Sequence, residues 1–197
     1  MGLWARSFDV AMRPLELAAF RDYRRWLVPR AHGSLLEVGS GTGANIPFLP
    51  CEGIRELTLS DVTIHTDRLR ERLSGSCFEE AELVEGSAEE LPFGSERFDS
   101  ALATLVFCSV PDQLKGLKEV RRVLRPGGSF LFLEHVLPPA NHLSVPMKAV
   151  NPVWRHVAGG CNLTRNTEKT IKEAGFTIES LRRDRLGVLI AGVARAR

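Results

Sequence analysis

The chain has 197 residues, enough for one domain with a full hydrophobic core. Its 44% hydrophobic and 25% charged content suit a globular protein, and a net charge of +2 gives no reason to expect a nucleic-acid partner. No apolar run is long enough to span a bilayer, and residues 1–30 are too charged for a secretory leader, so a soluble, cytoplasmic chain is expected.

In chain order, Phe8, Met12, Leu15, Ala19, Tyr23 and Leu27 recur at helical spacing and predict a helix over residues 8–28, with Pro14 as a break. Arg21, Arg24, Arg25 and Arg30 mix there with Phe20, Tyr23 and Trp26, which reads as an amphipathic lid and leaves room for peripheral membrane contact. Residues 35–39 predict a first strand, 45–49 a short helix ended by Pro50, and 56–60 a second strand leading to Asp61. A helix over 66–73, a short strand over 83–85 and a stronger one over 98–107 follow. Pro111 opens a helix with Leu114, Leu117, Val120 and Leu124 on one face, and Arg125-Pro126-Gly127-Gly128 ends it before a strand over 129–136. Thr164 or Asn166 caps a helix that reaches Ala174, with Gly175 as its stop, and strands over 176–181 and 187–194 complete the chain.

Seven strands alternating with helices predict an α/β fold: a Rossmann-like, doubly wound, mainly parallel seven-stranded sheet with helices on both faces and an N-terminal helical lid. It reads as a single domain, with the lid at 1–30, a cofactor-binding core at 31–136, a substrate cover at 137–165, and a C-terminal helix and strands at 166–197. The cover is assigned because residues 137–163 leave a strand end and carry four prolines, Trp154, His142 and His156. In such sheets ligands sit at the carboxyl ends of the strands, where the glycine turn, Asp61, Ser87-Ala88 and 104–109 converge.

The sharpest chemical signal is Glu37-Val38-Gly39-Ser40-Gly41-Thr42-Gly43, a buried strand running into alternating glycines. Gly39, Gly41 and Ala44 fit a dinucleotide fingerprint, with Asp61 about twenty residues on as a ribose-binding acid. Glu37 favours S-adenosylmethionine instead. A carboxylate there repels a pyrophosphate but suits a cofactor that carries sulfonium and ammonium groups.

Three stretches together resemble the class I S-adenosylmethionine-dependent methyltransferases: the glycine turn, Glu85-Gly86-Ser87-Ala88-Glu89-Glu90-Leu91-Pro92-Phe93, and residues 119–134 around Leu124-Arg125-Pro126-Gly127-Gly128. Leu105-Val106-Phe107-Cys108-Ser109-Val110, Glu134-His135-Val136 and Gly160-Cys161-Asn162-Leu163-Thr164-Arg165 are similar to the thiol S-methyltransferases of the methyltransferase-like group and their bacterial relatives. That resemblance implies S-adenosylmethionine as cofactor and a small thiol as acceptor. Gly39, Gly41 and Gly43 would pass under the methionine and ribose, Glu37 would order the methionine end, and Asp61 would accept from the ribose hydroxyls. Ala88 would offer its amide to the adenine, with Ser87 where the family often has an acid, and Thr104 completes the cofactor set. Phospholipid, amine or quinone methylation, a dinucleotide-dependent oxidoreductase and a non-catalytic binding module are the rival readings.

In-line methyl transfer asks for alignment and dryness more than for covalent help. His135, at a strand end, is the first candidate base, and His156 in the cover a second; the plainer reading of each is a structural histidine. Cys51, Cys77, Cys108 and Cys161 are scattered with no Cys-x-x-Cys pair, so reduced thiols, no disulfide framework and no metal site are expected. Cys108 and Cys161 read as small buried hydrophobes or as lining of an acceptor pocket.

Overall fold

A computed structural model describes residues 20–139 and 142–197. The first part of the helix predicted over 8–28 lies outside the described residues. Its end is α1, Arg21–Leu27, followed by a 3-10 turn over Val28–Arg30.

The strands are β1 Gly33–Val38, β2 Ile54–Asp61, β3 Glu82–Glu85, β4 Phe98–Thr104, β5 Leu124–His135, β6 Phe176–Arg183 and β7 Leu189–Ala196. They form one sheet in the order β3-β2-β1-β4-β5-β7-β6. Pairing is parallel from β3 through β5, and β7 runs antiparallel between β5 and β6. The expected Rossmann-like sheet is therefore present, with its switch point between β1 and β4.

All six residues of β1 are buried, as a central parallel strand covered on both faces requires. Side chains alternate between two cores with the period of two that a strand imposes. Phe130 and Phe132 enter one core while Leu131 and Leu133 enter the other; Ala101 and Ala103 are likewise separated from Leu102. Helices α3, Gln113–Val123, and α5, Thr167–Glu173, cover the first core through Leu117, Val120, Val123 and Ile171. Helices α1 and α2, Thr66–Leu73, cover the second through Leu27, Leu69 and Leu73.

Three departures from the predicted elements have local causes. Strand β4 stops at Thr104, short of 107, because Leu105 takes φ 61° and turns the chain. Helix α3 starts at Gln113 with Asp112 as its cap, the side chain accepting from Lys115 N at 3.0 Å. The cover segment contains a fourteen-residue helix, α4, Ser144–Val157, with Pro152 in its interior. Val145, Val153 and Val157 on α4 are exposed. No described helix is long and apolar enough to cross a membrane.

The expectation for the cysteines is corrected at one pair. Cys51, before β2, is disulfide-bonded to Cys77, after α2. Sequence spacing did not reveal it because the two residues lie 26 apart and meet only through the β2–α2 crossover. Disulfides are rare in cytosolic proteins, so this bond gives the expectation of a cytoplasmic chain no support.

Candidate active site

A cavity of about 1090 Å³ opens at the carboxyl ends of β1, β2 and β4. Its wall takes Gly39, Ser40 and Gly41 from the turn after β1, Asp61 from the end of β2, and Ser87 and Ala88 from the turn after β3. Thr104 and Val106 contribute from the end of β4, and Phe20 and Arg24 from the start of the chain's described part. Backbone at the turn is forced into a conformation that favours glycine, with φ 70° at Gly39 and 52° at Gly41. A Cβ on Gly39 would stand 2.3 Å from Val106, whereas one on Gly41 would meet no atom within 4 Å, because it would point into the opening. Gly43 stands off the cavity: a Cβ there would meet Ile46 at 2.6 Å, so its smallness serves packing. Asp61 Oδ2 accepts from Gly41 N at 2.8 Å and ties the second strand end to the turn.

Glu37 also stands behind the wall. It is 1% exposed, and its Oε1 accepts from Asn45 Nδ2 at 2.8 Å, while Oε2 is buried with no partner among the described residues. Burial pushes its carboxyl up to about 7, against the lowering effect of Asn45 and of nearby Arg24. Asn45 Nδ2 also reaches Thr104 Oγ1 at 3.0 Å, and Arg24 donates to Asn45 Oδ1 and to Thr104 Oγ1, the latter at 2.8 Å. Arg24 and Thr104 line the cavity, so Glu37 acts on it through these two and Asn45. The sequence names Arg24 only among the basic residues of the lid helix and gives Asn45 no site role, since one arginine among several and an asparagine after a glycine turn carry no signal of their own.

Glu134, part of the Glu134-His135-Val136 motif, was given no role of its own by the sequence. A fully buried acid at the end of the apolar run 130–133 was the available clue. Its carboxylate accepts from the backbone amides of Val106 at 3.0 Å, Phe107 at 2.8 Å and Cys108 at 2.9 Å. Those bonds fix the loop that Leu105 turns into the wall. Burial outweighs them and raises the Glu134 carboxyl to about 7.

Beside that loop, Cys108, His135 and Cys161 come together, with their ligand atoms all within 4.8 Å of one another. Cys161 Sγ is 3.7 Å from His135 Nδ1, and the His135 ring packs edge-on against Phe20 on the cavity wall, centroids 5.9 Å apart. The Cys161 thiol is held below the usual range, first by Cys108 and then, against burial, by His135 and Trp154; Cys108 is pushed up by Cys161 and by burial. His156 is exposed on α4 and joins neither the cluster nor the wall. From the predicted cover, Gly159 reaches the cavity among the described residues, and Arg165 anchors its far end by donating to Phe107 O and Pro111 O.

The wall fits S-adenosylmethionine on chemistry that can be checked residue by residue. Gly41 leaves open the space that a Cβ would fill, Asp61 keeps acceptor capacity for hydroxyls, and an unpartnered buried carboxylate oxygen of Glu37 stands behind a wall that would meet a cationic ligand.

Residues 36–132 match the methyltransferase domain family. The chain is 39% identical over 151 residues to the human thiol S-methyltransferase TMT1B, covering 73% of this chain and 60% of that protein. It is 35% identical over 175 residues to human thiol S-methyltransferase TMT1A, covering 80% and 66%. The chain thus spans less than two thirds of the length of either relative. An S-adenosylmethionine-dependent methyltransferase of Thermotoga maritima shares the fold with a TM-score of 0.68 at 17% identity, over 98% of this chain and 99% of that one.

Proposed function

Because the chain belongs to the class I S-adenosylmethionine-dependent methyltransferases, we propose that it moves a methyl group from that donor to a small thiol. The observation that carries the thiol is the likeness to two thiol S-methyltransferases, at 39% and 35% identity. A cavity whose far wall abuts His135, Cys108 and Cys161 supports it.

S-adenosylmethionine supplies an electrophilic methyl group on a sulfonium. Gly39, Ser40 and Gly41, on the cavity wall, would let backbone approach the donor closely, and Asp61 beside them would accept from its ribose hydroxyls. Ala88 offers a backbone amide to the adenine, with the Ser87 hydroxyl beside it. Thr104 and Arg24 face the methionine end and are held in place by Asn45 and Glu37. The acceptor sulfur, as thiolate, bonds to the methyl carbon along the line of the breaking carbon–sulfur bond. The bonding pair stays with the departing thioether sulfur, and the thiol proton leaves to solvent. Because an ordinary thiol has a pKa near ~8.5, only a few per cent is ionised at neutral pH, and a group near the acceptor that favours the thiolate speeds the step. His135 is that group's location; exposed His156 has no part in it.

A lipid or quinone acceptor is the second reading, favoured by the exposed valines of α4. The test is purified protein with methyl-labelled donor and a panel of thiols, amines, quinones and lipid vesicles. Label confined to thiols upholds the proposal, and label in quinone, amine or vesicle lipid alone refutes it.

A further inference from the structure

Cys108, His135 and Cys161 serve no part of the donor site, yet three elements bring them together. Cys108 lies in the loop after β4, His135 at the end of β5, and Cys161 in the turn after α4. We infer that these three side chains bind one zinc ion, whose fourth position faces the cavity and takes the acceptor sulfur. This rests on the thiol reading above and adds how the thiol is held.

The geometry suits that ion. Zn–S and Zn–N bonds of roughly 2.3 and 2.0–2.1 Å around a tetrahedron put ligand atoms about 3.6–3.8 Å apart. Cys161 Sγ and His135 Nδ1 are 3.7 Å apart, and all three ligand atoms fall within 4.8 Å. Two thiolates and an imidazole form a soft set that selects zinc over calcium or magnesium, and two thiolates cancel the ion's charge in an apolar wall. Three protein ligands with one open place mark a catalytic rather than a structural zinc site. The ligands are also pre-positioned. Asn162 N donates to Cys108 O at 2.8 Å and links the two cysteine segments, and Cys108 N is held by Glu134. The open side is defined by neighbours that line the cavity: Phe20 against the His135 ring, Ser109 after Cys108, and Gly159 before Cys161.

In the reaction, a thiol entering the fourth position gives its proton to solvent and binds as thiolate. Its sulfur then forms the bond to the methyl carbon, the donor's carbon–sulfur bond breaks with its electron pair going to the donor sulfur, and the thioether product leaves the ion. No electron transfer is involved. Full ionisation of the acceptor is worth up to about thirtyfold in rate at pH 7, from a pKa near ~8.5, and the advantage shrinks as pH rises past that value.

The test uses the whole chain, stripped with a chelator and titrated with Zn²⁺ against a chromogenic competitor, and separately with Co²⁺. One equivalent of either metal is expected, with the near-ultraviolet thiolate absorption of tetrahedral cobalt. Cys161→Ser, Cys108→Ser and His135→Gln should each weaken zinc binding at least about a hundredfold, beyond what loss of an outer-shell partner does. Unchanged donor affinity in the same variants shows that they are folded. Absence of zinc binding by the stripped wild type, or binding undiminished in Cys161→Ser, overturns the site. Thiol methylation equally fast with and without zinc at pH 7 overturns its role. Metal bound as expected while no thiol is methylated by either form discards the thiol reading and leaves the zinc site standing.

Discussion

At the scale of single residues, Glu37 is kept at the expense of stability. Its folded carboxyl titrates near 7 against an ordinary 4.5, so the folded state holds the proton more tightly than the unfolded chain. The stabilising contribution of the protonated form is complete below about pH 4.5 and is lost as pH rises through about 7, amounting to about 3 kcal/mol by pH 8. Glu37→Gln removes the titration while its amide oxygen can still accept from Asn45. The variant should match wild type near pH 4.5 and exceed it by up to about 3 kcal/mol at pH 8 in urea denaturation. Its donor dissociation constant should rise about tenfold, because the charge behind Asn45, Arg24 and Thr104 is gone. A variant no more stable at pH 8 would show that burial is not what raises the group. Gly41→Val makes the complementary case. Its Cβ meets open cavity, so the fold bears only the strain of φ 52°, about 1–2 kcal/mol, while calorimetry should detect no donor binding. Both residues were legible in the sequence because their neighbours spell a motif. Arg24, Asn45 and Glu134 were not, since each acts through a partner at least eight residues away that only the fold supplies.

At the scale of elements, the strands were readable because burial on both faces writes continuous apolar runs, as in β1 and at 130–133 of β5. Helix α4 was not readable, because its prolines argue for a loop. Pro146 sits in the first turn, where its missing N–H does no harm, and Pro152 is carried in the interior. What fixes α4 to the site is Asn151, buried on the helix, whose Oδ1 accepts from Leu163 N at 2.8 Å in the segment after Cys161. Asn151→Ala leaves that amide unpaired at a cost of about 1–2 kcal/mol, localised to residues 158–165. Hydrogen exchange should speed in that segment and not in the glycine turn. The acceptor KM should rise several-fold while donor affinity holds. If both constants move together, the segment belongs to the donor site and not to the acceptor's.

At the scale of the molecule, the sheet separates function from stabilisation by its two ends. The cavity opens at the carboxyl ends of β1, β2 and β4. The disulfide lies at the other end: Cys51 precedes β2, and Cys77 follows α2 on the way into β3. Its effect on the unfolded chain follows from the sequence separation of 26 between the cysteines, which closes a loop whose lost entropy is worth about 3–4 kcal/mol. For a chain of this size that is a change in melting temperature of about 10 °C. The double variant Cys51→Ser with Cys77→Ser, or gentle reduction of the wild type, should lower the melting temperature by that amount. Donor affinity at 25 °C should not change, since neither cysteine is among the residues that line the cavity. Reduction adds nothing in the double variant if the bond alone is responsible. A fall in donor affinity on reduction would mean that β2 shifts along its length and carries Asp61 with it, coupling the two ends that the sheet otherwise keeps apart.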